Sequence, residues 1–153
     1  MKAVIQRVSS ASVSIEGEKV GSCEKGYMIL FGAEKGDGKK EAELLAQKVS
    51  ALRIFSDDDG KMNLSILQVG GEILAISQFT LLADVKKGNR PSFINALKPE
   101  KAQLLYEHFC ECLKNLGVKK VAKGVFGADM QVSLVNDGPV TILYDTDIWS
   151  KKE

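Results

Sequence analysis

Asn136-Asp137-Gly138-Pro139-Val140-Thr141 separates two strand-like runs, Gln131 to Val135 and Val140 to Tyr144. Asx residues and glycine are ordinary turn chemistry, because they tolerate backbone shapes that other residues avoid. The segment therefore predicts a hairpin, and the end of the chain reads as strand, glycine-rich turn, strand. A second reading stands beside the plain turn. An X-Pro bond has lost most of the usual trans preference, so Gly138-Pro139 is also a place where a cis bond is held on purpose. Such a unit would aim two main-chain carbonyls the same way, with no side chain on the glycine.

Working outward, the other segments fit the same class. Lys2 to Val8 reads as a strand, and Val13, Ile15 and Val20 flank the turn Glu16-Gly17-Glu18-Lys19. Tyr27 to Ala33 is almost continuously apolar, as a buried central strand would be. Ile66 to Val69 and Glu72 to Ala83 read as strands joined through Gly70-Gly71. Asp37 is placed to cap a first helix with Ala42, Leu45, Val49 and Leu52 on its inner face. Pro99 opens a second helix, with Leu105, Phe109, Cys112 and Leu116 inside and Gly117 as its stop. The expectation is one α+β domain over residues 1–153, a mostly antiparallel, barrel-like sheet with two helices.

Composition bounds the function. The chain has 153 residues and a formal net charge of +1, so no global field draws it onto nucleic acid or an anionic membrane. Any RNA contact must be local. Three cysteines, Cys23, Cys110 and Cys112, make no disulfide framework and suit a reducing cytosol. No apolar run is of signal-peptide or membrane-spanning length, which points to a cytoplasmic protein without a membrane partner.

The common catalytic devices are scarce. The one histidine, His108, falls at the flank of the second helix. His108 and Cys112 are four apart, but a zinc site needs about four ligands and no others are spaced to join them, so neither metal nor cofactor is expected. Ser56-Asp57-Asp58-Asp59-Gly60 resembles a calcium loop in composition only; the spacing is wrong. Three polar clusters remain. They are Ser77-Gln78-Phe79-Thr80, Lys86-Lys87-Gly88-Asn89-Arg90-Pro91-Ser92-Phe93, and Gly124-Val125-Phe126-Gly127-Ala128-Asp129-Met130. Taken singly they read as a strand end, a solvated loop and a glycine turn.

Taken together, and in this order along the chain with Arg7-Val8-Ser9-Ser10-Ala11-Ser12-Val13, Leu52-Arg53-Ile54-Phe55, Lys61-Met62-Asn63-Leu64-Ser65 and Asn136 to Thr141, these segments resemble the D-aminoacyl-tRNA deacylase family. Val125 and Lys123 depart from the family pattern beside the Phe126-Gly127 turn. The resemblance implies a homodimeric editing hydrolase acting on aminoacyl-tRNA, cleaving the ester that joins a D-amino acid or glycine to the terminal adenosine. It implies that Gly138-Pro139 is a Gly-cisPro unit entering the other subunit's site and rejecting L-amino acids. It assigns catalysis to Ser77, Gln78 and the backbone amides of Phe79 and Thr80, with the substrate's 2′-hydroxyl assisting. Arg7, Phe126, Met130 and Asn136 would contact substrate or the incoming Gly-Pro unit, and Lys86, Lys87 and Arg90 the RNA. Thr80 as a nucleophile and a non-catalytic RNA-end binding dimer are the alternatives.

Overall fold

In the computed structural model, which describes residues 1–150, a long first strand organises the sheet. β1 (Lys2–Ile15) turns through Glu16 and Gly17 into β2 (Glu18–Cys23), which pairs with its second half. β3 (Gly26–Gly32) returns antiparallel along its first half. From there the sheet becomes parallel. β6 (Glu72–Ser77) lies parallel to β3, and β7 (Val121–Lys123) parallel to β6. The sheet is thus mixed and nearly closed, which corrects the mostly antiparallel expectation. Parallel neighbours need long crossovers, and the chain supplies them. α1 (Lys39–Ala51), the small pair β4 (Phe55–Ser56) and β5 (Met62–Leu64), and α2 (Ile66–Val69) fill the first crossover. A 3₁₀ turn (Phe79–Leu82) and α3 (Pro99–Asn115) fill the second.

Tyr27 to Phe31 is apolar throughout because both of its faces are covered. Tyr27, Ile29 and Phe31 face the helices and join Ala42, Leu45, Val49, Tyr106 and Phe109 in one core. Met28 points the other way, into a second cluster with Val8, Val13, Leu74 and Ile76. The buried face of α3 is Ala102, Leu105, Tyr106, Phe109, Cys110 and Leu113. Cys112 and Leu116, expected inside, sit at its margin and surface; the stripe is rotated by about one residue.

Three local expectations change. Ile66–Val69 is a helical turn: Ser65 Oγ accepts from Gln68 N–H at 3.3 Å, Gln68 Oε1 accepts from Ser65 N–H at 2.8 Å, and Gly70 stops it in the left-handed region. That makes three α-helices among the described residues, not two. Asp37 does not cap α1; Gly38 does, while Asp37 accepts from the Glu34 N–H and pairs with the buried amino group of Met1. The run Glu72 to Ala83 is strand only to Ser77.

The largest correction concerns the opening stretch. β8 (Gln131–Asp145) is one strand running antiparallel to nearly all of β1. Gln6 pairs with Thr141 and Val8 with Asn136, so Asp137 to Val140 bulge out opposite the single residue Arg7. There is no hairpin. The two runs continue in one direction with a four-residue projection between them.

Candidate active site

β3, β6 and β7 run parallel, so their C-terminal ends open at the same side of the sheet. A cleft of about 760 Å³ lies there. It is lined by Gly32 and Ala33 at the end of β3, by Ile76 to Phe79 at the end of β6, and by Phe126, Gly127, Ala128 and Met130 after β7. Crevices at the C-terminal ends of parallel strands are recurrent ligand sites. The segment from Phe93 to Pro99 completes the wall.

The turn at Gln78 shapes the mouth. Gln78 N–H donates to Phe31 O at 2.7 Å, and the chain then enters the 3₁₀ turn. Gly32 makes room for this: a Cβ there would lie 2.6 Å from Leu82 Cδ2 and 3.1 Å from Gln78 O. The first amides of a helical turn have no carbonyl partner within it. Here they are those of Phe79 and Thr80. Gln78 Nε2 donates to Thr80 Oγ1 at 2.7 Å. The Phe79 ring is 57 % exposed and meets Phe93 edge-on, with centroids 5.0 Å apart. Across the β7 end, Met130 packs where a Gly124 Cβ would stand, 2.6 Å from its sulfur.

The structure therefore brings Ser77, Gln78, Phe79, Phe126 and Met130 to one cleft, with Thr80 next in the turn. It does not bring Arg7, Asn136, Gly138 and Pro139 there. These four form a second group on the β1–β8 side. The Gly138-Pro139 bond is cis. Asn136 closes the bulge as a clasp: its Oδ1 accepts from Val140 N–H at 2.8 Å and its Nδ2 donates to Val140 O and Thr141 Oγ1, each at 3.2 Å. Arg7, only 12 % exposed, donates from Nε to Asp137 O at 2.8 Å and from its guanidinium end to Ile54 O at 2.7 Å. Its head group is thus engaged with its own chain's bulge.

Lys86, Lys87 and Arg90 stand exposed on a loop closed by reciprocal main-chain bonds between Asp84 and Ser92, 2.7 and 2.9 Å. None lines the cleft; Lys86 borders a smaller cavity of about 310 Å³ with Lys2 and Glu34. The sequence reading missed Lys35, Ile94, Leu97 and Lys98. They reach the cleft through a long-range pairing of residues 33–35 with 95–97 that no local pattern announces.

Titratable side chains of the usual catalytic kinds lie elsewhere. His108 Nε2 sits 2.9 Å from Glu43 Oε1 and 3.6 Å from Cys112 Sγ, joining α3 to α1. Burial pushes the Cys23 thiol up to about 11 and Cys110 to about 12, and raises Cys112 as well. The phenols of Tyr27 and Tyr106 are raised by the same desolvation. Among the described residues no group of three or more His, Cys, Asp or Glu is placed to hold a metal ion, and no helix is long and apolar enough to cross a membrane.

Comparison with known proteins shows the family. The model of the family described as D-Tyr-tRNA(Tyr) deacylase matches residues 4–145. A D-aminoacyl-tRNA deacylase of Magnetococcus marinus is 53% identical over 145 residues, covering 95% of this chain and 96% of that protein. One from Bacteroides thetaiotaomicron is 56% identical over 146 residues, covering 95% and 97%. The solved structure titled c-Myc DNA Unwinding Element Binding Protein superposes with a TM-score of 0.90 at 42% identity, covering 95% of this chain and 98% of that one. A probable eukaryotic D-amino acid tRNA deacylase shares the fold, with a TM-score of 0.78 at 15% identity, covering 94% and 97%. The chain belongs to the D-Tyr-tRNA(Tyr) deacylase family of enzymes.

Proposed function

We propose that this protein is a cytoplasmic, homodimeric D-aminoacyl-tRNA deacylase that hydrolyses the ester between a D-aminoacyl or glycyl group and the terminal adenosine of tRNA. The observation that carries the reading is the cleft itself. It is mostly apolar, Gln78 and Phe79 line its mouth with Thr80 next in the turn, and among the described residues no histidine, cysteine or carboxylate lines it. An aminoacyl ester is already activated, so two aimed N–H groups supply much of the help it needs. Removing one such donor typically costs about 3 kcal/mol of transition-state stabilisation. The base is then sought on the substrate, whose 2′-hydroxyl neighbours the ester. Thr80 makes a poor nucleophile, because a threonine needs a base beside it and its oxygen already accepts from Gln78. Phe79, Phe126 and Met130 supply the apolar surface for adenine and the aminoacyl group.

Selection by hand is assigned to the second group. Gly138 and Pro139 sit in a bulge that Arg7 and Asn136 hold, and neither lines the chain's own cleft. β8 pairs only with β1, so its other edge is open. It carries Val135 at 58 % and Leu143 at 74 % exposure. A second copy joined over this surface would receive the projection in its cleft. An L-side chain would meet the carbonyls of Gly138 and Pro139, a D-side chain would point away, and glycine would pass. Rejection by collision discriminates more strongly than pocket fit.

The protein titled for binding a DNA element is similar enough to favour one competing reading, a nucleic-acid-end binding dimer without catalysis. Purified protein given tRNA charged with a D-amino acid, and separately with glycine, decides between them. Release of both is expected. Retention of both esters, with the RNA bound, would establish the binding reading instead.

A further inference from the structure

Two cations stand in the wall of the cleft. Among the described residues, Lys35 and Lys98 are the only charged ones in its lining. Both are exposed. Neither ammonium has an ion-pair partner among the described residues, whereas Lys119 and Lys123 are paired with Glu72 and Glu107. The neighbouring carboxylates Glu34, Asp37 and Glu100 do not line the cleft. The two lysines also sit on a fixed wall. Lys35 N–H donates to Asn95 O at 2.9 Å, Leu97 N–H donates to Ala33 O at 3.0 Å, and Glu34 and Ala96 form an antiparallel bridge between them. The segments carrying Lys35 and Lys98 are therefore one zipped unit.

We propose that Lys35 and Lys98 bind the phosphodiester groups of the last nucleotides of the RNA strand whose 3′-ester occupies the cleft. The inference rests on the deacylase reading and deepens it. The chemistry is divided between wall and interior. The apolar interior takes the base and the aminoacyl group, and neither needs a cation. The strand leading to them is anionic at every step, and the chain's net charge of +1 gives no general attraction for it. Two unpaired ammonium groups at the one opening are the local attraction available. They act as point charges on phosphate, so they read strand position and not base identity.

The test compares three esters of one D-amino acid: on adenosine without phosphate, on a short single-stranded oligonucleotide, and on full tRNA. The proteins are the wild type, Lys35→Ala, Lys98→Ala and the double variant, with circular dichroism confirming the fold. Each single change should raise KM about tenfold on the oligonucleotide and the tRNA, as loss of a charge-assisted contact does, with kcat little altered. The slope of log(kcat/KM) against log salt should flatten by about 0.7 per lysine lost. Kinetics on the adenosine ester should not move. A double variant with wild-type KM and salt slope on tRNA overturns the assignment. So does an equal loss on the adenosine ester, which would give the lysines to the shape of the cleft. Wild-type protein that cleaves none of the three esters removes the deacylase reading, and this inference with it.

Discussion

Thr80 Oγ1 accepts from Gln78 Nε2, and the Thr80 main-chain amide lies at the start of the turn beside it. Side chain and backbone of one residue are thus separable by mutation. Thr80→Ala removes the hydroxyl and keeps the amide. Its expected effect on single-turnover deacylation is a loss of about fivefold, the worth of one neutral hydrogen bond. Abolished turnover with retained substrate binding would instead make the hydroxyl the nucleophile. Arg7 invites the complementary experiment. Its two bonds are charge-assisted; the one to Ile54 O is part-buried and the one to Asp137 O is exposed. Arg7→Ala should cost about 2–3 kcal/mol in urea unfolding. It should also narrow the ratio of D- to L-ester hydrolysis, because the bulge loses one of its two fastenings. An unchanged ratio would separate Arg7 from the projection.

At the scale of elements, the cleft exists because β6 stops at Ser77 and the chain folds over the end of β3. The Gly32 position permits that approach. Gly32→Ala would place a methyl against Leu82 and the Gln78 carbonyl. Overpacking of this kind costs about 1–3 kcal/mol. Displacing the turn by an ångström should lower kcat/KM by about 100-fold. A variant of full activity would detach the turn from catalysis. The same element shows what the sequence could and could not tell. Phe79-Thr80-Leu81-Leu82 has strand-like residues, and only Gly32, far away in the chain, lets it turn. The Ser65–Gln68 cap was readable locally, from a serine followed three residues later by glutamine and then by two glycines, and was missed. Tyr27 to Ala33, α1 and α3 were readable, since their apolar spacing reports burial directly. Gly138-Pro139 stands in a bulge of one long strand and not at the tip of the hairpin that its composition predicts. A bulge and a hairpin share turn composition, and the difference lies in pairing to β1 at both ends.

At the scale of the molecule, the cleft and the Gly138-Pro139 bulge are separate, because none of Arg7, Asn136, Gly138 and Pro139 lines the cleft. In the proposed homodimer a second copy, joined across the β8 edge, would bring them together. Val135→Glu puts a charge on the exposed apolar face there. If the proposed homodimer holds, gel filtration should give a dimer for the wild type and, at the same concentration, a monomer of unchanged circular dichroism for the variant. Deacylation should fall with dimer content. A fully active monomer would place both functions in one chain. The proposed function has the protein open D-aminoacyl esters and spare their mirror images. The decisive measurement charges one tRNA with the D- and the L-form of the same amino acid and follows both deacylations with purified protein. The D-ester should be hydrolysed faster by a factor above about 100; equal rates for the two hands would contradict it.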